Sequence, residues 1–348
     1  MSLQEKILFI QFQFLGDIVF LTPALKAYKE RFPEKELHVL VPKEAAPLLL
    51  NLVYIDKVWA FPRIRGKLNL FNSIKVLIKL RSLNFACSLD FTGNDRGSIA
   101  TRFISAKQRI GVVRFNSTLL QKSAYQIKVN TDSFAPSYVD FNKQIIQKAF
   151  SFKFSKEFPK MEICPDPSSA AIAKKYFDSN FILCHVSTTQ EKKQWPLDNW
   201  IIFYKLTEKY KIPLLFSAGP SVAEQSFLLQ LKSRIPKANI LKPINDLKIF
   251  IAFLNRASLL ISNDTGPLHF AAAMNVKIIG LFGPADSVRR ASPIYTSEQK
   301  LFGKKCECIN DLGRKHFCSA KIRCIDTINP IEVFNLMEKQ IKKAKNFK

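Results

Sequence analysis

The chain has 348 residues, a length that suggests two domains of about 150 residues each. Hydrophobic residues make up 47% of it, which excludes a mostly disordered basic tail, and 11 glycines are too few for a collagen-like or glycine-rich linker architecture. The formal net charge is +25, from 53 Lys and Arg against 28 Asp and Glu. This excess indicates either a polyanionic partner or only the base composition of the genome.

Strand and helix patterns alternate through the first half of the chain. The apolar run 6–13 predicts a buried strand rather than a signal peptide, because polar residues interrupt it and no small-residue cleavage site follows. A helix is predicted from there to Arg31, and another at 73–83. Further strands are predicted at 37–41, 53–60, 85–90 and 109–113. This alternation predicts a parallel α/β sheet, and no apolar run reaches the ~18 residues that span a bilayer.

The same pattern restarts after a linker-like turn at 164–167. Strands are predicted at 181–185, 213–217, 259–262 and 277–282. Helices are predicted at 168–177, 197–210, 222–232, 268–274 and 330–345. The sequence therefore predicts two Rossmann-like domains that face a cleft, 1–165 and 166–328. Because ligands of open α/β sheets bind at the carboxyl ends of the strands, the loops after the strands are the candidate site.

Three of these loops carry side chains suited to chemistry. Asp17 follows the first strand and precedes a helix, where a carboxylate serves either as a general base or as a simple helix cap. The second loop, 185–196, contains hydroxyl and ammonium groups that suit phosphate oxygens, among them those of Thr188, Thr189 and Lys193. The alternative is that 185–196 is an ordinary solvated loop without a ligand. If the loop does bind phosphate, either Lys192 or Lys193 would face it.

The third loop, 263–269, precedes a predicted helix whose N-terminus forms an anion site. Thr265 and Gly266 would offer backbone N–H groups to a diphosphate. Asp264 would repel phosphate, so we expect it to accept hydrogen bonds from hydroxyls. His269 either reaches the ligand or packs in the core. Elsewhere, Glu224 follows a strand at an offset that suits ribose hydroxyls.

The basic excess is concentrated in one segment of the chain. Residues 57–131 carry 14 Lys and Arg against two acids, a net +12 in 75 residues. Arg63, Arg65 and Lys67 form its densest part and are candidate ligands for acidic sugars or lipid phosphates. A solvated basic face without a partner is the alternative.

Seven cysteines are spread along the chain, which fits a reducing cytosol better than a disulfide scaffold. Cys306, Cys308, Cys318 and Cys324 suggest either four zinc ligands or reduced thiols, and their spacing does not match the usual paired CxxC site. The glycine-rich fingerprints of dinucleotide and P-loop sites are absent.

Taken together, the loops resemble glycosyltransferase family 9, the ADP-heptose:lipopolysaccharide heptosyltransferases. The resemblance is carried, in the expected order, by 15–17 (LGD), 22–25 (TPAL), 193–196 (KQWP), 264–273 (DTGPLHFAAA) and 281–284 (LFGP). It covers both halves, from about residue 6 to about residue 340. The chain departs from the family at Val186-Ser187, where Pro-Gly is usual, and at Gln194, where an arginine is usual.

The resemblance implies a GT-B fold, in which a final helix, 329–348, crosses back to pack on the N-terminal domain. It implies an inverting, metal-independent transfer of heptose from ADP-heptose, with no cofactor, to the Kdo/heptose inner core of lipopolysaccharide on lipid A. Asp17 matches the general base, and Arg63, Arg65 and Lys67 would lie on the acceptor side. The residues that match donor-binding positions are Thr188, Thr189, Lys193, Glu224, Asp264, Thr265, Gly266 and His269.

We therefore expect a cytoplasmic monomer that contacts the inner face of the inner membrane and binds an anionic lipopolysaccharide acceptor, without a nucleic-acid partner. Three alternatives remain open at this point. One is the same fold with another nucleotide sugar or acceptor, and one is a non-catalytic nucleotide-sugar-binding protein. The third is a basic nucleic-acid-binding protein, although no helix-turn-helix, zinc finger or RNP-type segment is found.

Overall fold

The computed structural model describes residues 4–64, 67–68, 70–130, 135–154, 157–208, 210, 212–284, 300–304 and 320–345. The chain divides into two compact units, Met1–Cys164 and Pro165–Lys348, one residue from the boundary expected from the linker-like turn. Among the described residues, no helix is both long and apolar enough to cross a membrane.

The first unit is a six-stranded parallel sheet with helices on its two faces. Its strands are β1 (Lys6–Ile10), β2 (Glu36–Pro42), β3 (Lys57–Phe61), β6 (Cys87–Asp90), β7 (Gln108–Val113) and β8 (Ile127–Asn130), and a two-stranded antiparallel hairpin adds β4 (Arg63–Ile64) and β5 (Lys67–Leu68). Its helices are α1 (Leu15–Arg31), α2 (Leu70–Arg81), α3 (Asp95–Ile104), α4 (Leu119–Ala124) and α5 (Tyr138–Phe150), with a 3₁₀ turn at Lys43–Leu48.

The strand order of this sheet is β3-β2-β1-β6-β7-β8. The chain therefore runs outward from β1 in one direction, returns through α2, and runs outward from β6 in the other. Since parallel crossovers are right-handed, α1 lies on one face, and α2, α3 and α4 lie on the other. The observed packing of α1 against α5, of α2 against α3 and of α3 against α4 agrees with this.

Local chemistry explains a proline inside α1. Pro23 has no N–H to donate to the carbonyl of Val19, four residues back. The Thr22 hydroxyl donates to that carbonyl at 2.8 Å and accepts the backbone N–H of Glu162 at 3.1 Å. The Thr-Pro pair thus keeps the helix satisfied and ties it to the end of the unit.

The second unit repeats the architecture with strand order β11-β10-β9-β12-β13-β14. Its strands are β9 (Ile182–His185), β10 (Leu214–Ser217), β11 (Asn239–Ile240), β12 (Leu259–Asn263), β13 (Ile278–Pro284) and β14 (Lys300–Gly303). Its helices are α6 (Pro167–Tyr176), α7 (Leu197–Glu208), α8 (Val222–Arg234), α9 (Leu247–Leu254), α10 (Gly266–Ala273) and α11 (Pro330–Lys345), with 3₁₀ turns at Glu191–Lys193 and Cys324–Thr327.

The last helix, α11, packs on α7 of the second unit. Its apolar face contributes Val333, Phe334 and Met337 to the buried core that also holds Trp195 and Trp200. Those two indoles meet edge to face with ring centroids 4.8 Å apart. The crossing of this helix to the N-terminal domain stays a prediction.

The two parallel α/β units confirm the predicted fold class, while several elements differ in extent. The first strand ends at Ile10 rather than at residue 13, because Phe12 leaves the sheet to donate to the Thr92 hydroxyl at 3.0 Å. The sequence analysis missed α3, α4, α5, α9, β4, β5, β8, β11 and β14. Two of the missed helices had readable caps, since Asn94 accepts two backbone N–H groups at α3 and Ser137 accepts one at α5.

Gly97 lies in the first turn of α3, where the helix approaches the end of β6 so closely that no side chain fits. A Cβ at this position would overlap the carboxylate of Asp90, which is held in place by Tyr125 and Thr92. We predict that Gly97→Ala lowers the free energy of unfolding by about 1–3 kcal/mol, although alanine favours a helix. Urea unfolding measures this, with the exposed Ile99→Ala of the same helix as control; equal stability of Gly97→Ala and wild type would refute the packing constraint.

Candidate functional site

The candidate residues follow the central strands of the two sheets. In the first unit β1 and β6 are neighbours, and in the second β9 and β12 are neighbours. At both places the strand order reverses, and ligands of open α/β sheets bind at such switch points. The segments that follow these four strands carry Asp17, Thr92, Ser187 and Asp264.

Asp17 lies in the first turn of α1. Its Oδ2 accepts the backbone N–H of Phe14 at 3.0 Å, so the carboxylate caps the helix. It is partly exposed and lines a concave site in the first unit together with Gln11, Gln13, Phe91, Arg114, Tyr138, Phe141 and Asn142. The cap and the exposed position therefore coexist, so the two interpretations of Asp17 do not exclude each other.

The sequence analysis missed the polar companions of Asp17. Gln11 and Gln13 come directly after β1, and Arg114 comes directly after β7. The available signal was positional, since each lies at the carboxyl end of a strand. Arg114 places a cation in the same concavity as the carboxylate, an arrangement that suits a polar substrate bearing an acidic group.

A buried network holds the loop that leads to Asp17. Thr92 accepts the N–H of Phe12, and its carbonyl accepts Gln13 Nε2 at 3.1 Å. Asp90, which is fully buried, accepts the N–H of Thr92 at 2.7 Å and the Tyr125 hydroxyl at 2.6 Å. Asp90 thus lies behind the site and supports it through Thr92.

The predicted basic acceptor ligands are only partly described. Arg63 and Lys67 lie in the hairpin β4–β5, where Arg63 pairs with Leu68 and Ile64 with Lys67. Arg65 lies outside the described residues. The hairpin brings Arg63 and Lys67 onto adjacent strands of one turn.

In the second unit, Lys193, Asp264 and His269 form a charged cluster. Lys193 Nζ lies 2.7 Å from Asp264 Oδ2, and His269 Nε2 lies 3.6 Å from Asp264 Oδ1. Burial disfavours ionisation of Asp264, but the hydrogen bond of His269 and the charge of Lys193 outweigh it and hold the pKa of Asp264 below its ordinary value. The carboxylate is therefore charged, and of the two adjacent lysines it is Lys193 that pairs with it.

The cluster lies beside the N-terminus of α10. Thr265 is the N-cap residue, and Gly266 and Pro267 form the start of the helix. The first N–H groups of a helix have no partner within it and carry the positive end of the helix dipole. Pro267 costs the helix no hydrogen bond at this position. The turn thus offers an anion the backbone groups of Thr265 and Gly266 next to the Lys193 side chain.

Glu224 is buried in the first turn of α8, and two serines hold it. Ser187 Oγ donates to Glu224 Oε1 at 3.1 Å and accepts the N–H of Gly219 at 2.8 Å, while Ser221 Oγ donates to Oε2 at 2.6 Å. A Cβ on Gly219 would overlap the carboxylate. Ser187, which replaces a glycine usual in the resembling family, is therefore an integral part of this arrangement.

The loop after β9 is closed by Gln194. Its Oε1 accepts the N–H of Thr188 at 2.9 Å, and its Nε2 donates to the carbonyl of Val186 at 3.1 Å. Thr188 is half-buried, its hydroxyl accepting the N–H of Gln190 at 3.3 Å, and Thr189 is exposed. Gln194 thus takes a structural role in place of the usual arginine.

Of the four cysteines considered as zinc ligands, the structure describes one. Cys324 is buried in a 3₁₀ turn, and Cys306, Cys308 and Cys318 lie outside the described residues. Within the described ranges, no group of three or more His, Cys, Asp or Glu side chains is arranged to hold a metal ion.

The protonation of Asp90 gives a testable pH dependence. Burial raises its pKa from 3.8 to about 6 despite the hydrogen bonds of Tyr125 and Thr92. The folded protein therefore binds this proton more tightly than the unfolded chain, and the stabilising contribution is present below about pH 4 and lost as the pH rises through about 6. We predict that urea unfolding of Asp90→Asn lacks this loss, so that its stability relative to wild type rises by about 2 kcal/mol between pH 4 and 7.

The matched control is Asp95→Asn, an exposed carboxylate of the same unit. Its stability relative to wild type should not show this rise. A flat difference for Asp90→Asn across the same range would contradict the assigned environment.

Comparison with known proteins agrees with this geometry. The sequence profile described as glycosyltransferase family 9 (heptosyltransferase) matches residues 74–320. The chain is 26% identical to lipopolysaccharide heptosyltransferase 1 of Campylobacter coli over 96% of this chain and 98% of that protein. It is 23% identical to the lipopolysaccharide core heptosyltransferase OpsX of Haemophilus influenzae over 83% and 85%.

Solved structures show the same fold. A family 9 glycosyl transferase from Veillonella parvula superposes with a TM-score of 0.78 at 18% identity over 99% of both chains. The Escherichia coli ADP-heptose lipopolysaccharide heptosyltransferase II superposes with a TM-score of 0.74 at 15% identity over 98% of this chain and 99% of that one. The predicted GT-B architecture and the family resemblance are confirmed: the chain belongs to glycosyltransferase family 9 and is a glycosyltransferase.

Proposed function

We propose that the protein is a lipopolysaccharide heptosyltransferase that transfers heptose from ADP-heptose to the Kdo/heptose inner core on lipid A, with inversion and without a metal or other cofactor. The observation that carries the proposal is the match to the Campylobacter coli lipopolysaccharide heptosyltransferase 1 along nearly the whole of both chains. The charged groups at the two switch points support it, because each has a role in such a transfer.

On the acceptor side, Asp17 is the general base. It takes the proton of the acceptor hydroxyl as that oxygen attacks the anomeric carbon from the face opposite the leaving diphosphate. Arg114, in the same concavity, and the three residues Arg63, Arg65 and Lys67 bind the acidic groups of the acceptor. Because this acceptor is anionic and linked to lipid, we expect the enzyme to contact the inner face of the inner membrane from the cytoplasm. We further propose that it acts as a monomer.

On the donor side, the second unit binds the nucleotide sugar. Lys193 and the N-terminus of α10, with Thr265 and Gly266, stabilise the negative charge that develops on the departing diphosphate. Thr188 and Thr189 contact phosphate oxygens. Glu224 accepts hydrogen bonds from the ribose, and Asp264, oriented by Lys193 and His269, accepts them from the sugar hydroxyls.

A nucleotide thermal-shift series combined with a transfer assay tests the proposal. ADP should raise the melting temperature more than UDP or GDP at equal concentration, because ligand binding to the folded state stabilises it by mass action. ADP-heptose and a Kdo-terminated acceptor should then give a heptosylated product. A preference for UDP would indicate another nucleotide sugar, and the largest shift with duplex DNA would indicate a nucleic-acid-binding protein instead.

We predict that Asp17→Asn reduces heptose transfer by about 10²–10⁴-fold while the affinity for ADP stays within about threefold of wild type. Asparagine keeps an oxygen that accepts the Phe14 N–H, so α1 remains capped while the base is lost. Turnover is measured with the Kdo-terminated acceptor and affinity for ADP by calorimetry. Asp95→Asn serves as control, and near-normal turnover of Asp17→Asn would remove Asp17 from the role of base.

We also predict that Lys193→Ala weakens ADP binding by about tenfold or more and lowers turnover, since a charged partner of the diphosphate is lost. Asp264→Asn keeps the lysine charge and should raise the KM for the nucleotide sugar with a smaller effect on ADP. Lys192→Ala is the matched control. If Lys192→Ala is the variant that weakens ADP binding, the phosphate contact belongs to Lys192.

A further inference from the structure

One face of the first unit carries apolar side chains on the outside of its helix layer. Helix α2 buries Ser73, Leu77 and Leu80 against the sheet, as a surface helix should. Its opposite side nevertheless exposes Phe71, which is 68% accessible, and also Ile74 and Ile78. Burial in the core therefore accounts for one side of α2 and leaves the other unexplained.

The same feature continues along the layer. Helix α3, which packs on α2, exposes Ile99 and Phe103 one turn apart. Helix α4, which packs on α3, exposes Leu119, with 85% of its surface accessible, and Leu120. Single exposed apolar residues are ordinary, but seven on three adjacent helices mark an interaction surface. We call the exposed surface of these three helices the outer layer. Its exposed apolar residues are Phe71, Ile74, Ile78, Ile99, Phe103, Leu119 and Leu120.

Cations are interleaved with these apolar side chains. Lys75 Nζ lies 4.2 Å from the centre of the Phe71 ring, and Lys79 follows one turn later. Arg81, Arg96 and Arg102 are exposed on the same helices. Between residues 70 and 124 the acids are Asp90, which is buried, and Asp95, which accepts Gln121 Nε2 at 2.7 Å. The outer layer therefore has a strongly positive surface.

From this pattern we propose that the outer layer docks the protein on an anionic lipid bilayer. Its aromatic and aliphatic side chains enter the boundary between headgroups and acyl chains, and its lysines and arginines pair with lipid phosphates. The proposal names the surface through which a lipid-linked acceptor is reached, and in that respect it rests on the proposed function.

The apolar content distinguishes a bilayer from a nucleic acid. A nucleic-acid backbone attracts the same lysines, but it offers the aliphatic side chains of Ile74, Ile78, Leu119 and Leu120 no apolar environment. A bilayer interface accepts both kinds of side chain. The interleaved pattern therefore fits the membrane surface better than a polyanion in water.

The test uses vesicles that contain neither donor nor acceptor. Co-sedimentation is measured with phosphatidylcholine vesicles and with equal parts of phosphatidylcholine and phosphatidylglycerol. We expect binding to the anionic vesicles that falls with added salt. Lys75→Glu/Lys79→Glu should weaken it by more than about twentyfold, from roughly fivefold for each lost cation near the surface. Phe71→Ser/Ile78→Ser should also weaken it, and at high salt most clearly.

The control is Arg31→Glu/Lys148→Glu, which changes the same charge on the α1 and α5 layer across the sheet. Equal loss of vesicle binding in this control and in the lysine variant would overturn the proposal, since net charge alone would then suffice. Unchanged binding in Phe71→Ser/Ile78→Ser would overturn it as well, and tighter binding of duplex DNA than of vesicles by the wild type would assign the surface to nucleic acid.

Transfer to a soluble, delipidated acceptor separates this proposal from the proposed function. We expect the outer-layer variants to retain that activity, because none of the altered residues lines the concave site with Asp17. Loss of vesicle binding with intact transfer supports the docking surface. Intact vesicle binding without heptose transfer in the wild type would refute the function while leaving the surface standing.

Discussion

Where the central parallel strands end, their backbone groups lose the partners that the sheet provided, and inside a protein each must find another. Buried polar side chains supply these partners in both units. The Thr92 hydroxyl accepts the N–H of Phe12, and Asn263 accepts the N–H of Trp195 while donating to the carbonyl of Val186. Because these bonds fix the loops, the side chains that the loops carry are held in place before any substrate arrives.

Two carboxylates at equivalent points of the two sheets show how environment sets charge. Asp90 ends β6, and Asp264 follows β12. The partners of Asp90 are neutral donors, so burial dominates and its pKa rises to about 6. Asp264 has Lys193 and His269 beside it, so its pKa falls despite burial. One carboxyl is thereby a structural support, and the other is a charged group at the candidate site.

The pairing of Lys193 with Asp264 also makes the two residues interdependent. Asp264 is buried while Lys193 is partly exposed, so removing Lys193 leaves the charge of Asp264 desolvated without compensation. The pair is therefore best understood as one unit that brings a cation to the N-terminus of α10. In the same way Ser187, Ser221 and Gly219 act together on Glu224, since one carboxylate is bound by two hydroxyls and packed against a residue without a side chain.

The sequence alone determined the alternation of strands and helices, the division into two units and the family motifs. These depend on local periodicity and on residues close together in the chain, which is why they are legible without a structure. It did not reveal short elements such as α4 or β11, whose few residues carry little periodic signal.

Only the tertiary structure decided which side chains meet. Lys193 and Asp264 are 71 positions apart in sequence, and Ser187 and Glu224 are 37 apart. The parallel sheet brings them together because β10, β9 and β12 are consecutive strands of the sheet. The carboxyl ends of these parallel strands, and the residues that follow them, therefore lie along the same edge of the sheet. The same holds for Arg114 beside Asp17 and for the outer layer, whose helices adjoin only because right-handed crossovers place them on one face of the sheet.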